Sequence, residues 1–174
     1  MKKAILIFVA IVMMAGFSNS VIAQTENTEA GAVIIKPITI AEESILHFGV
    51  MAVNAAGTCV LSTGGVRTQT GGVVLAAQTP VATNAAYTVT GEPTFTYAIT
   101  LPGSITVTKP VTLETMTIGT LLAKSTSGLE SNTATGTIEA GGTETFTVGG
   151  TLTVDADQVA GAYAGTFDVT VAYN

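Results

Sequence analysis

Tryptophan is absent from this 174-residue chain, and cysteine and histidine occur once each, as Cys59 and His47. A single cysteine excludes an intrachain disulfide, so stability has to come from packing. With one histidine, six basic residues and twelve scattered acids, few groups can converge into a catalytic centre with tuned proton affinities. There is no phosphate-binding loop, zinc-ligand spacing or nucleophile elbow. The expectation is a non-enzymatic protein that needs neither a metal nor a cofactor. Basic residues are too few for a nucleic-acid-binding face.

The N-terminus carries a different signal. Lys2 and Lys3 precede an apolar run over residues 4–16, and Val21, Ile22 and Ala23 follow a short polar stretch. This pattern predicts a secretory signal peptide over 1–23, cut between Ala23 and Gln24. The run of thirteen residues is too short for a hydrocarbon core roughly 30 Å thick, so no stable membrane insertion is expected after cleavage. The protein should be exported, to the periplasm, the cell surface or the medium. Four basic residues then face twelve acids, a net charge near −8.

Threonine, valine and paired glycines dominate the remainder. Alternation predicts strands over 33–40, 44–53, 58–62, 73–76, 86–90, 95–101, 105–108, 113–118, 135–140, 143–154 and 165–173. Gly64-Gly65, Gly71-Gly72 and Gly141-Gly142 read as turns, the last as a two-residue hairpin. Gly149-Gly150 interrupts a continuous strand pattern, which predicts a bulge or a close backbone approach. Many short strands without a helical crossover point to an all-β, immunoglobulin-like antiparallel β-sandwich over 32–174, after a flexible tail over 24–31. Residues 124–133 read as an exposed loop.

Individual residues yield little chemistry. Cys59 sits in an apolar strand pattern and reads as a small buried hydrophobe. His47, in Ile45-Leu46-His47-Phe48, reads as a surface or hydrogen-bonded structural residue. Asp155, Asp157, Glu42 and Glu43 read as solvated turn acids, because a calcium loop would need more oxygen ligands than they supply.

The C-terminus is more informative. Phe167, Val169, Val171 and Tyr173 alternate towards the end of the chain, and Gly161 stands fourteenth from that end. These five residues are the candidate assembly strand, since a terminal strand can pair with another chain through its open backbone groups. The structural alternative is that they close the core of a complete monomer.

Three stretches carry a family resemblance: Ile45 to Gly49, Tyr87 to Pro102, and Val148 to Tyr173. In this order they resemble a family of secreted bacterial domains of unknown function, related to spore coat protein U and the fimbrial subunits of chaperone–usher fibres. The fimbrial resemblance rests on Gly161 and the penultimate aromatic Tyr173. It implies a periplasmic chaperone and an usher as partners, and a homopolymer in which a neighbour's N-terminal extension completes each domain. The paired cysteines of many such subunits are lacking, and the tail over 24–31 has no apolar side chain larger than that of Ala30. The stretch 33–40 could be donated to a neighbour or serve as the domain's own first strand. The function expected is a structural or adhesive surface subunit. The alternative is a monomeric secreted binding module, for carbohydrate for example, using Tyr87, Tyr97 or Tyr163.

Overall fold

The computed structural model describes residues 23–174. The expected signal peptide therefore lies outside the described residues except for Ala23. The chain divides into a stretch ending at Ile34 and a body beginning at Ile35. Residues 23–34 are exposed and without regular structure, and this includes Ala23 and Gln24.

The body is built from β1 (Thr39–Ser44), β2 (Val50–Leu61), β3 (Arg67–Ala76), β4 (Ala85–Thr90), β5 (Thr96–Thr100), β6 (Ser104–Thr108), β7 (Thr115–Ser125), β8 (Thr135–Thr137), β9 (Thr143–Val154) and β10 (Thr170–Tyr173). Every pairing is antiparallel, and the strands form one sheet of seven and one of three, so the all-β class expected from alternation is what the chain adopts.

The long strand β9 organises the large sheet. Along one edge its first half pairs with β4 and its second half with β2, while β7 follows the other edge. Even-numbered side chains of β9 point inward, so Glu144, Phe146, Val148, Leu152 and Val154 are buried and threonines face out. Gly149 marks the place where β2 leaves that edge and β4 takes it up. A Cβ there would meet Leu61 O and lie 2.6 Å from Ser62 C, which is the close backbone approach expected of the glycine pair. Cross-strand neighbours Tyr87 and Phe146 stack with ring centroids 5.0 Å apart.

A bulge that was not expected lies opposite the glycine pair, in β7. The register between β7 and β9 shifts between Gly119 and Leu122, and Thr120 has a φ of 48°. The inward set therefore changes from even to odd, with Ile118 buried before the shift and Leu121, Ala123 and Ser125 after it.

The small sheet, in the order β10-β5-β8, covers one end of the large one. Tyr97, Ile99 and Ile138 join the common core there. Gly136 of β8 lies against Glu144, Ser125 Oγ donates to Thr135 O at 2.7 Å, and Ile138 packs on Gly91. Cys59 belongs to the same core and is fully buried, as expected.

Several local expectations change. Residues 33–37 are not strand, and β1 begins only at Thr39, with Glu42 and Glu43 inside it rather than in a turn. Only the ends of the predicted strand over 44–53 are strand, since residues 45–49 lie between β1 and β2 with a φ of +73° at Gly49, and 58–61 belongs with 50–57 in one strand. Gly71-Gly72 is no turn; it sits within β3, where the ladder with β2 shifts register between Val53 and Gly57. Gly141-Gly142 does turn the chain, with Gly142 N donating to Glu139 O at 2.9 Å. The flanking strands β8 and β9 enter different sheets, so no hairpin ladder follows. Lys124 and Ser125 are the end of β7, not the start of a loop.

Candidate functional site

Beyond the reach of the small sheet, the other end of the large sheet has no second layer of strands among the described residues. Its inward side chains there include Met51 and Val53 of β2, Ile105 and Val107 of β6, Met116 and Ile118 of β7, and Leu152 and Val154 of β9. Residues 158–167 pass over them as irregular chain. Between the two lies an apolar cleft of about 950 Å³.

One rim of the cleft is residues 45–50. Backbone bonds between His47 and Thr83, at 2.7 and 2.8 Å, hold it, and Gly49 N donates to His47 Nδ1 at 2.8 Å. That makes His47 a hydrogen-bonded structural residue, although it lines the cleft. Arg67 fastens the rim from the other side. Its guanidinium donates to Phe48 O at 2.7 Å, Val50 O at 3.0 Å and Ala76 O at 2.8 Å. Sequence reading gave Arg67 no role, because its partners are carbonyls, which carry no sequence signature. The cleft itself went unread because each lining side chain looks like ordinary core. The one available signal was an excess of inward apolar positions over the strands available to cover them.

The C-terminal candidates divide across this site. Val171 and Tyr173 lie in β10, paired with Ile99 and Tyr97 of β5. Phe167 and Val169 are half-buried against the core but belong to no strand, and Gly161 lies in an exposed loop. The predicted strand over 165–173 is thus only Thr170–Tyr173. Its partner strand β5 ends at Thr100, and the next positions include Pro102, which has no N–H, before the chain crosses to β6 in the other sheet. Beyond that break the segment touches down once more, where Ala164 and Thr108 exchange two hydrogen bonds.

Tyr173 ties the two ends of the body together. Glu92 N donates to its hydroxyl at 2.7 Å, and the hydroxyl donates to Lys36 O at 2.9 Å. Its ring meets Phe95 edge-on at 5.7 Å. The penultimate aromatic therefore secures the backbone just after Ile35.

Of the other sequence candidates, Glu42, Tyr87 and Tyr163 line the cleft, and Asp155, Asp157, Tyr97 and Cys59 do not. Asp155 and Asp157 are exposed in a turn, and among the described residues no group of three histidines, cysteines or acids is placed to hold a metal ion. Tyr87 and Tyr97 are buried, which leaves only the half-buried Tyr163 with any face for a sugar ring. Burial raises the Cys59 thiol above its ordinary value, partly countered by Arg67. A thiol held protonated and buried is a poor nucleophile.

Among curated proteins none matches the chain. A family model described as a domain of unknown function, DUF4402, matches residues 38–173, from the residue before β1 to the end of β10. That span takes in both sheets, the cleft and the terminal strand, and the chain belongs to the DUF4402 family.

Proposed function

We propose that this protein is an exported, non-enzymatic structural or adhesive subunit of a bacterial surface, which assembles by placing an extended apolar segment of one copy in the cleft of the next. The observation that carries this reading is a match of surfaces: an apolar cleft of about 950 Å³ on one side and an uncovered apolar segment on the other. Val33 and Ile34 are 89% and 97% exposed, and Ile35 is 36% exposed. Burying Val33 and Ile34 would contribute about 1.5 to 3 kcal/mol each, and the largely covered Ile35 less, before the loss of freedom on association is counted. The resemblance to coat and fimbrial subunits supports the same reading and makes a periplasmic chaperone and an usher the expected partners.

The test is a gel of purified protein, with and without boiling. A ladder that collapses on heating is expected, and replacing Val33, Ile34 and Ile35 together with serine should abolish it while leaving the fold intact. A single monomer band in both lanes at high protein concentration would sink the assembly reading. That outcome would favour a second reading, a monomeric secreted binding module, because the cleft's volume also lies within the range of small-molecule sites. With Tyr87 and Tyr97 buried, its ligand would be an apolar molecule rather than a sugar.

A further inference from the structure

The C-terminal segment is fixed at both ends and loose between them. Thr170–Tyr173 pairs with β5, and Ala164 exchanges hydrogen bonds of 2.8 and 3.1 Å with Thr108 at the end of β6. Between these points residues 165–169 have no ladder partner among the described residues. Phe167 and Val169 nevertheless continue the alternation of Val171 and Tyr173, so the sequence encodes more strand than the fold pairs.

The edge beside this loose stretch is open. In an antiparallel strand alternate residues aim their backbone groups to the same side, so Thr106 faces the way Thr108 does. Among the described residues Thr106 finds no backbone partner on that side, and Gly165 lies so near that a Cβ would stand 2.5 Å from Thr106 O. At its other end the segment is folded on itself by one side chain. The Tyr163 hydroxyl donates to Val159 O at 2.7 Å and accepts from Gln158 Nε2 at 2.6 Å.

We propose that residues 158–169 form a displaceable strap that closes the cleft of the free subunit, held in shape by Tyr163 and fastened to β6 at Ala164, with the open edge of β6 as the position an incoming strand takes over. The inference rests on the assembly reading for its purpose, but the strap's motion can be measured without assembly. Few bonds hold the strap and none crosses the core, so it can open without unfolding the sheets. An entering strand would replace the single Thr108–Ala164 bridge with a continuous ladder and would fill the cleft beneath.

The experiment uses the purified chain at a concentration where it is monomeric, the neutral apolar dye N-phenyl-1-naphthylamine and hydrogen exchange of individual amides. Tyr163→Phe removes both bonds that shape the strap, and it should raise dye uptake several-fold and speed exchange of the Ala164 amide, which bonds to Thr108 O, with the far-ultraviolet dichroism unchanged. Gln158→Ala, at a half-buried position on the cleft, should do the same to a smaller degree and serves if Tyr163→Phe fails to fold. A T108C/A164C pair, oxidised, should lower dye uptake and slow ladder formation, and reduction should restore both. Equal dye uptake in the oxidised and reduced pair, or unchanged exchange of the Ala164 amide in both the Tyr163 and the Gln158 variant, would overturn the strap. If wild-type protein never forms a ladder but the dye and exchange responses hold, the assembly reading fails and the strap stands as the gate of an apolar ligand site.

Discussion

Glu144 is the one acidic side chain in the core, 2% exposed, and its surroundings show how a polar residue can be carried by an alternation that otherwise selects apolar ones. One carboxylate oxygen accepts from Ser127 N at 2.9 Å and from Ser127 Oγ at 2.5 Å. The other carboxylate oxygen and the Tyr97 hydroxyl both lie near Gly136 without a hydrogen-bond partner. Burial first, and the Glu144 carboxylate second, push the Tyr97 phenol well above its ordinary value. A phenol that holds its proton more tightly in the fold than in the unfolded chain stabilises the fold fully below the unfolded value, about 10. That contribution is lost as pH rises from there towards the folded value. Denaturant titrations between about pH 8 and about pH 11 should therefore show stability falling more steeply in wild type than in Tyr97→Phe. Cys59 and Tyr87 are also raised, by burial first, but both proteins share them, so the difference between the slopes isolates Tyr97. Parallel slopes would remove Tyr97 from the account.

Among the elements, β7 carries a local cost for a global purpose. Thr120 is β-branched and exposed, yet its φ of 48° lies in the left-handed region that costs a non-glycine residue about 1–2 kcal/mol. The bulge it makes lets Ile118 and Leu121 both face the core, three residues apart. Thr120→Gly should thus keep the register and raise the stability by up to about 1 kcal/mol, after the flexibility of glycine in the unfolded chain is set against the relieved strain. Deleting Thr120 would put Leu121 opposite Gly150 in a regular ladder with Leu121, Ala123 and Ser125 still turned inward, so it should change the stability little. Urea midpoints separate the two, and a destabilised Thr120→Gly would show that the threonine is not strained. This element also marks where sequence reading stopped. Strict alternation made β9, β4 and β5 legible almost to the residue, whereas β7 was cut short at Ile118 because its period slips there. The C-terminal strand failed in the other direction. Its alternation was read correctly, but whether a strand forms depends on a partner edge, and Pro102 and the change of sheet after β5 remove that edge. Glycine pairs were ambiguous for the same reason, since Gly64-Gly65 turns the chain and Gly71-Gly72 continues a strand with the same local composition.

At the scale of the whole molecule, residues 23–174 hold four basic groups, Lys36, Arg67, Lys109 and Lys124, against twelve acids. Copies of such a chain repel one another at a distance, while the cleft and the segment 33–35 that are proposed to join them are almost free of charge. The long-range term opposes encounter and the short-range term favours the joined state, so salt should act on the rate of assembly. The Debye length shrinks from about 30 Å at 0.01 M to about 8 Å at 0.15 M, which screens repulsion between approaching copies but leaves apolar burial intact. Ladder formation should therefore speed up by an order of magnitude or so across that range. Assembly through acid–base contacts would slow over the same range, because screening would weaken the attraction that draws the copies together. A time course of the unboiled ladder at the two salt concentrations distinguishes these cases. Dye uptake by the monomer supplies the control, since N-phenyl-1-naphthylamine is neutral and the strap is held by hydrogen bonds and packing. Dye uptake that stays constant while ladder formation accelerates would locate the salt effect in the encounter between copies rather than in the opening of the cleft.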